Sequence, residues 1–223
     1  MRKERWRLNI DRGFRDLVRP LSKTEYIRLE NQVLQGTCRE EVVSWNGLVL
    51  QGFELYSICS KHHLPFFHDV KAFECREDAI SWVCRHELQS PRLTEERRRF
   101  LIGVCYNAEC EANRYHREHA LPGEKIPFVS GKVVAKDLSQ TFHAACPSVK
   151  KYERYSSALL DIRSVCRPLF LKIVSGSVKL SREAVFDLSK MDGSKIEAFY
   201  QAVAGNHLGF PAARKVLEDI MKD

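Results

Sequence analysis

The chain has 223 residues, a formal net charge of +7 and an isoelectric point near 9.0, with 44% hydrophobic and 29% charged residues. That composition describes a globular chain long enough for one large domain or two to three small ones, and no apolar run approaches the roughly 20 residues of a membrane span. The basic opening, MRKERWRLNIDRGFR, lacks the apolar segment of a secretory signal, and Glu4, Asp11 and Asp16 count against a transit peptide, so a cytoplasmic location is expected.

The positive charge is clustered. Residues 1–19 carry seven Lys or Arg against three acids, and residues 134–174 again seven against three. Clusters of this kind suit a nucleic-acid partner. Residues 1–19 are therefore read as a basic, partly flexible arm, with Arg2, Lys3, Arg5 and Arg7 available to DNA. Eight cysteines without a signal sequence point to reduced thiols. Zinc is not expected. On one continuous helix Cys105 and Cys110 point about 140° apart, so a single ion could not gather them with His116 and His119. Cys59, His62, His63 and His68 read as a helix end and a loop.

Next comes PLSKTEYIRLENQVLQG, a helix entered through Ser22, with Tyr26, Leu29, Val33 and Leu34 on one face and Gly36 ending it. WNGLVLQGFELYSICSKHHLPF gives a strand Glu41–Trp45, a turn at Asn46–Gly47, a strand through Leu48–Phe53, a helix Glu54–His62 and a strand through Phe66–Val70. Residues 20–75 thus form a small α/β unit. The rest is helical. REDAISWVCRHELQS carries Ala79, Ile80, Val83, Cys84 and Leu88 at helical spacing, and a long helix capped by Thr94 follows. Residues 76–119 read as a helical extension, the Pro/Gly-rich 120–132 as a linker, and 133–223 as three or four helices broken near Arg167–Pro168, Gly176 and Gly193. The expected fold class is α+β.

Strand, glycine and helix N-terminus together make a common phosphate seat. Here the turn reads Gln51, Gly52, Phe53, Glu54, Leu55, with no Arg, Lys or Ser, and Glu54 would repel a phosphate. A triphosphate needs Arg, Lys or Mg²⁺ to offset its charge; Arg76 or Arg97 to Arg99 could supply it from elsewhere. In the C-terminal region, LSQTFHAACPSVKKYERYSSALLDI has the layout of a helix-turn-helix. Leu138 and Ser139 pack in the first helix, His143, Ala144 and Ala145 turn, and Val149 and Tyr152 anchor the second. Ser148, Lys150, Lys151, Arg154 and Tyr155 are left on the outer face, with Lys136 nearby, suited to phosphates and base edges. His143 stands where a glycine is usual, because the turn needs φ > 0. The alternative is an ordinary helical pair with a solvated basic face.

The segments WNG, YSIC, REDAISWV and KYERY, within roughly residues 19–200, resemble the ParB/sulfiredoxin-like N-terminal domain joined to a helix-turn-helix, as in partition and regulatory proteins of plasmids, phages and integrative elements. The resemblance implies a ParB/sulfiredoxin-like α/β domain followed by an all-helical DNA-binding region, double-stranded DNA as partner, and self-association through the N-terminal domain. It implies plasmid partition or transcription regulation as the role, and a nucleoid- or plasmid-associated location. Where nuclease-like relatives carry DGHxR, and CTP-binding ones a GERR-like turn, this chain has Gln51 to Leu55. The second nucleotide motif, ENxQR-x-DL in type, is matched over His86 to Leu93 at Gln89 and Leu93 alone. Cys59 lies beyond the turn where sulfiredoxins place their cysteine. The expectation is therefore a degenerate pocket, with no catalytic residue and no cofactor. The rivals are a CTP- and Mg-dependent DNA clamp, a ParB-like nuclease, and a protein-binding adaptor that has lost DNA binding.

Overall fold

In a computed structural model of the chain, which describes residues 7–205 and 209–222, eleven helices and three strands form a mixed α+β protein among the described residues. Two compact units divide it, Met1–Glu87 and Leu88–Asp223. No helix among the described residues is long and apolar enough to cross a membrane.

The first unit runs α1 (Arg12–Leu17), α2 (Lys23–Leu34), β1 (Glu41–Trp45), β2 (Leu48–Gln51), α3 (Phe53–Lys61), β3 (Phe67–Val70) and α4 (Arg76–Leu88). Its sheet has the order β2-β1-β3, with β1 antiparallel to β2 and parallel to β3. The hairpin turns through Asn46 and Gly47, both at positive φ, the backbone that a two-residue turn between twisted strands requires. A parallel partner needs a crossover, and β2 with α3 supplies it. Val42 to Trp45 are all buried, as a central strand covered on both faces demands. Phe14, Val49, Leu50, Phe53, Leu55 and Ile58 fill the core around them. The indole N–H of Trp45 donates to the Phe73 carbonyl at 2.9 Å, which satisfies the one polar atom of that buried ring.

The expected basic arm is folded wherever it is described. Asp11 caps α1 by accepting from the Gly13 and Phe14 N–H groups, and Phe14 is fully buried. The backbone of Asn9 joins Gly47 and Val49 beside β2, and the Tyr56 hydroxyl donates to the Leu8 carbonyl at 2.7 Å. Charge counting overlooked Leu8, Phe14, Leu17 and Val18, whose burial repays the ordering of this segment. Arg7 is exposed; Arg2, Lys3 and Arg5 lie outside the described residues.

The second unit comprises α5 (Glu95–Glu118), α6 (Gly131–Phe142), α7 (Cys146–Val165), α8 (Arg167–Val174), α9 (Arg182–Ser189), α10 (Gly193–Val203) and α11 (Phe210–Lys222). The region after residue 132 thus holds more helices than expected. Short ones follow each of the anticipated breaks at Arg167–Pro168 and Gly176, and Gly193 opens α10. Helix α7 is central and packs on α5, α6, α8, α9 and α10. Its tightest neighbour is α5. A Cβ on Gly103 would lie 2.1 Å from the Tyr152 carbonyl oxygen, so the two backbones meet where a side chain cannot fit. Phe100 of α5 meets Phe170 of α8 edge-on at 5.2 Å.

The break between units falls at Glu87/Leu88, not at the expected linker 120–132, and α4 and α5 of the supposed extension 76–119 part there. Residues 120–130 are irregular but internal to the second unit: at Gly131 the chain is again against α5, where an added Cβ would meet the Tyr106 hydroxyl at 2.5 Å. Proline and glycine mark irregular backbone; they do not say whether the flanking helices share a core.

Candidate nucleic-acid interface

The turn before α3 has the geometry of a phosphate seat. Gly52 is left-handed, with φ 77° and ψ 31°, and is the N-cap of α3. A Cβ there would come within 2.8 Å of the Glu41 carbonyl oxygen, so both the conformation and the close approach call for glycine. Phe53 and Leu55 point into the core, while Gln51 ends β2 half-buried. Glu54 accepts from the Arg15 guanidinium at 2.5 Å and from the Leu21 N–H at 3.4 Å. The same guanidinium lies 5.2 Å over the Phe53 ring.

An arginine does therefore reach this turn, but from α1, and a carboxylate of the turn itself meets it. Next to it Arg19 is bound by Glu25 through two hydrogen bonds of 2.9 and 3.1 Å, and its backbone N–H donates to Glu87. The Arg19 guanidinium holds the Glu25 carboxyl far below the usual carboxylate range. Two of the other candidate cations are also paired, and a third is buried. Arg76 binds Asp11 at 2.8 Å and lies 4.5 Å over Phe14, Arg99 binds Glu95 at 3.0 Å, and Arg97 is buried. Arg15 lies 39 residues from Glu54 and Arg76 lies 65 from Asp11, and no local sequence signal reports pairs so far apart.

The two supposed metal sets do not form ligand groups. Cys105, Cys110, His116 and His119 all lie along the unbroken α5 or at its C-cap. Cys105 is buried and donates to Glu109, and His119 bonds the Tyr115 carbonyl and stacks on its ring. In the first unit His62 bonds Glu30 and His68 bonds the Ser44 hydroxyl.

In the second unit, α6 and α7 are joined by His143, Ala144 and Ala145. His143 takes the left-handed conformation itself, at φ 53° and ψ 37°. Its side chain is exposed, so no crowding is added to the strain of that backbone. Leu138 and Val149 are fully buried on either side of the turn, as expected, and Ser139 is half-buried.

On α7 the expected outer face divides. Lys150 and Lys151 are exposed, Lys136 of α6 is exposed, and Ser148 is half-buried. Among the described residues no carboxylate pairs with any of these three lysines. Tyr155 is not on that face: only 2% of it is exposed, and burial pushes its phenol far up, with Glu96 of α5 adding to the effect. Tyr152, the expected inward anchor, is half-buried. The reason is the number of neighbours. A helix covered by one partner buries one stripe, whereas α7 is wrapped from several sides. Its buried arc runs through Val149, Tyr155, Ser156, Ala158, Leu159 and Ile162, about 180° wide at 100° per residue.

Arg154 is exposed, yet its guanidinium lies 5.3 Å over the ring of Phe186 on α9. Around it is a groove of about 400 Å³ lined by Glu153, Ser157, Asp161, Glu183, Asp187 and Lys190 among others. Sequence reading missed α9 as a neighbour of α7.

No protein-family model matches the sequence, and no curated protein matches it. Among solved structures the chain is similar to a Pnob8-like ParB-N domain, with 13% identity, 97% of this chain and 93% of that chain covered, and a TM-score of 0.48.

Proposed function

We propose that this chain is a duplex-DNA-binding protein of the ParB-like type, acting in regulation or partition of a mobile genetic element, and that it is not an enzyme. One observation carries the reading: the exposed, unpaired Lys136, Lys150 and Lys151 around a tight turn between two helices whose inner residues, Leu138 and Val149, are fully buried. Lysines in such an arrangement meet phosphates while the first turns of the second helix reach base edges. The sequence motifs WNG, YSIC, REDAISWV and KYERY support the same assignment. Self-association through the first unit belongs to this proposal.

Absence of catalysis and of a nucleotide cofactor rests on the turn at Gln51 to Leu55. Arg15 and Arg19, the arginines beside the N-terminus of α3, face Glu54 and Glu25. An entering triphosphate would have to displace those carboxylates and would gain little net charge compensation.

The test is titration of fluorescent duplex DNA at several salt concentrations, with and without CTP and Mg²⁺. Three lysine–phosphate contacts give a log–log salt slope of about −3, where the six basic residues of the whole 136–167 cluster would give about −5. Lys150→Ala/Lys151→Ala weakens binding at least about tenfold and flattens the slope by about 2, with the melting temperature nearly unchanged. Retained affinity in that variant moves the DNA site away from α7, to the basic residues Arg2, Lys3, Arg5 and Arg7, whereas no binding at low salt leaves the adaptor reading standing. A CTP-dependent change in binding revives the clamp.

A further inference from the structure

Along the outward stripe of α7 the residues run Cys146, Pro147, Lys150, Arg154, the half-buried Ser157, Asp161 and Ser164. From Lys150 to Asp161 the stripe advances about 16 Å, and over that distance its charge changes sign. Helix α9 deepens the change. It places Glu183 and Asp187 beside Glu153 and Asp161, so the groove has four carboxylates against Arg154 and Lys190, a formal charge of −2. Arg154 lies at the border, one turn beyond Lys150, with its guanidinium over Phe186.

We infer that α9 sets the inner limit of the DNA footprint on α7: the Phe186 ring engages Arg154, and the groove carboxylates exclude phosphate and confine contact to the turns bearing Lys150 and Lys151. The inference rests on the DNA-binding reading above and adds a specificity device to it. A guanidinium over an aromatic face keeps its charge but is already partnered. Four carboxylates on that side repel a phosphate approaching past Lys151. A DNA-binding helix bordered in this way has a fixed stop, which sets how far the duplex can slide along it.

The experiment uses the full chain and a short random-sequence duplex. In the parent, Arg154→Ala changes Kd less than about twofold, unlike Lys151→Ala, because a partnered cation releases few counterions from DNA. Glu183→Gln/Asp187→Asn tightens binding about threefold and steepens the salt slope by about 1, as Arg154 joins the contacts. Adding Arg154→Ala to that variant abolishes both gains. Glu111→Gln/Glu118→Gln on α5 removes two carboxylates from around Arg114 and serves as the charge-matched control; its slope stays at the parent value. The inference is overturned if Arg154→Ala in the parent is as damaging as Lys151→Ala. It is equally overturned if neutralising Glu183 and Asp187 leaves the slope unchanged or the gain survives loss of Arg154. Binding that persists in Lys150→Ala/Lys151→Ala refutes instead the placement of DNA on α7, on which all of this depends, and absence of binding in the parent refutes the DNA reading itself.

Discussion

Gly52 ahead of α3 and His143 at the end of α6 are two of the left-handed residues at helix boundaries, and their turns differ in charge. The first delivers the N-terminus of α3, and the protein fills the electrostatic vacancy there with its own carboxylate, Glu54, and then with Arg15. The second delivers a helix whose first turns carry Lys150 and Lys151 with no carboxylate paired to them. The backbone geometry of a site and its charge state are thus separate properties. Shape alone would have selected the turn at Gly52, whereas the lysines without partners lie at the other.

The strongest way to break this comparison is to alter the turn that is closed in sterically. Gly52→Ala adds a Cβ 2.8 Å from the Glu41 carbonyl oxygen at a φ of 77°. The left-handed backbone costs about 1–2 kcal/mol and the overpacking about 1–3, so a loss of about 3 kcal/mol is expected in urea unfolding. A loss below about 1 kcal/mol means that β1 yields and that the glycine is dispensable.

The Arg15–Glu54 pair comes next. Each partner is mostly buried, so Arg15→Ala or Glu54→Ala leaves a partly buried charge without its main partner and costs about 1–2 kcal/mol. The double variant should recover about 1 kcal/mol relative to the sum, since the two act as one interaction. Strict additivity in a double-mutant cycle would mean that Glu54 is not quenched by Arg15, and the turn would again be open to an anion.

Much of this was legible in the sequence, and the limits are physical. Strands β1 to β3, α3, the cap at Thr94 and the α6–α7 pair depend on local pattern: β-branched runs, Asn46–Gly47, capping residues and apolar spacing. What stayed hidden depends on long separation. The identity of Arg15 as the partner of Glu54, the burial of Tyr155 by the helices around α7, and the stacking of Arg154 on Phe186 involve elements that only the tertiary fold brings together. Residues 7–19 depart from the expected flexible arm for a different reason: clustered positive charge signals a solvated segment, whereas Leu8, Phe14, Leu17 and Val18 are buried and fold it.

A gentler change sharpens the same contrast. His143→Gly removes the strain of an exposed left-handed residue, about 1 kcal/mol, and adds unfolded-chain entropy of nearly equal size. Stability within about 0.5 kcal/mol of the parent is expected by thermal unfolding, against the large loss at Gly52. A loss of 1 kcal/mol or more would show that the His143 side chain contributes contacts at the turn.

Another small effect concerns the charge that ties α1 to α4. Burial alone would raise the Asp11 carboxyl, but hydrogen bonds from Arg76 and from the Phe14 and Gly13 N–H groups outweigh it and hold the carboxyl below its usual range. A depressed folded value means that the stabilisation is fully present above the unfolded carboxylate range and is lost as pH falls through the folded value. Asp11→Asn keeps an oxygen acceptor for the α1 cap and deletes the charge. Arg76 is partly solvated, with 41% of its side chain exposed, so screening limits the effect to about 0.5 kcal/mol at neutral pH. The melting temperatures of parent and variant should differ at pH 7 and converge as the pH falls through the depressed folded value, below which Asp11 is protonated in both folded and unfolded chains. A gap that stays constant with pH would assign the effect of the substitution to cap geometry. The ion pair with Arg76 would then contribute nothing measurable, and α1 would be held to the first unit by Phe14, Leu17 and the Arg15–Glu54 pair.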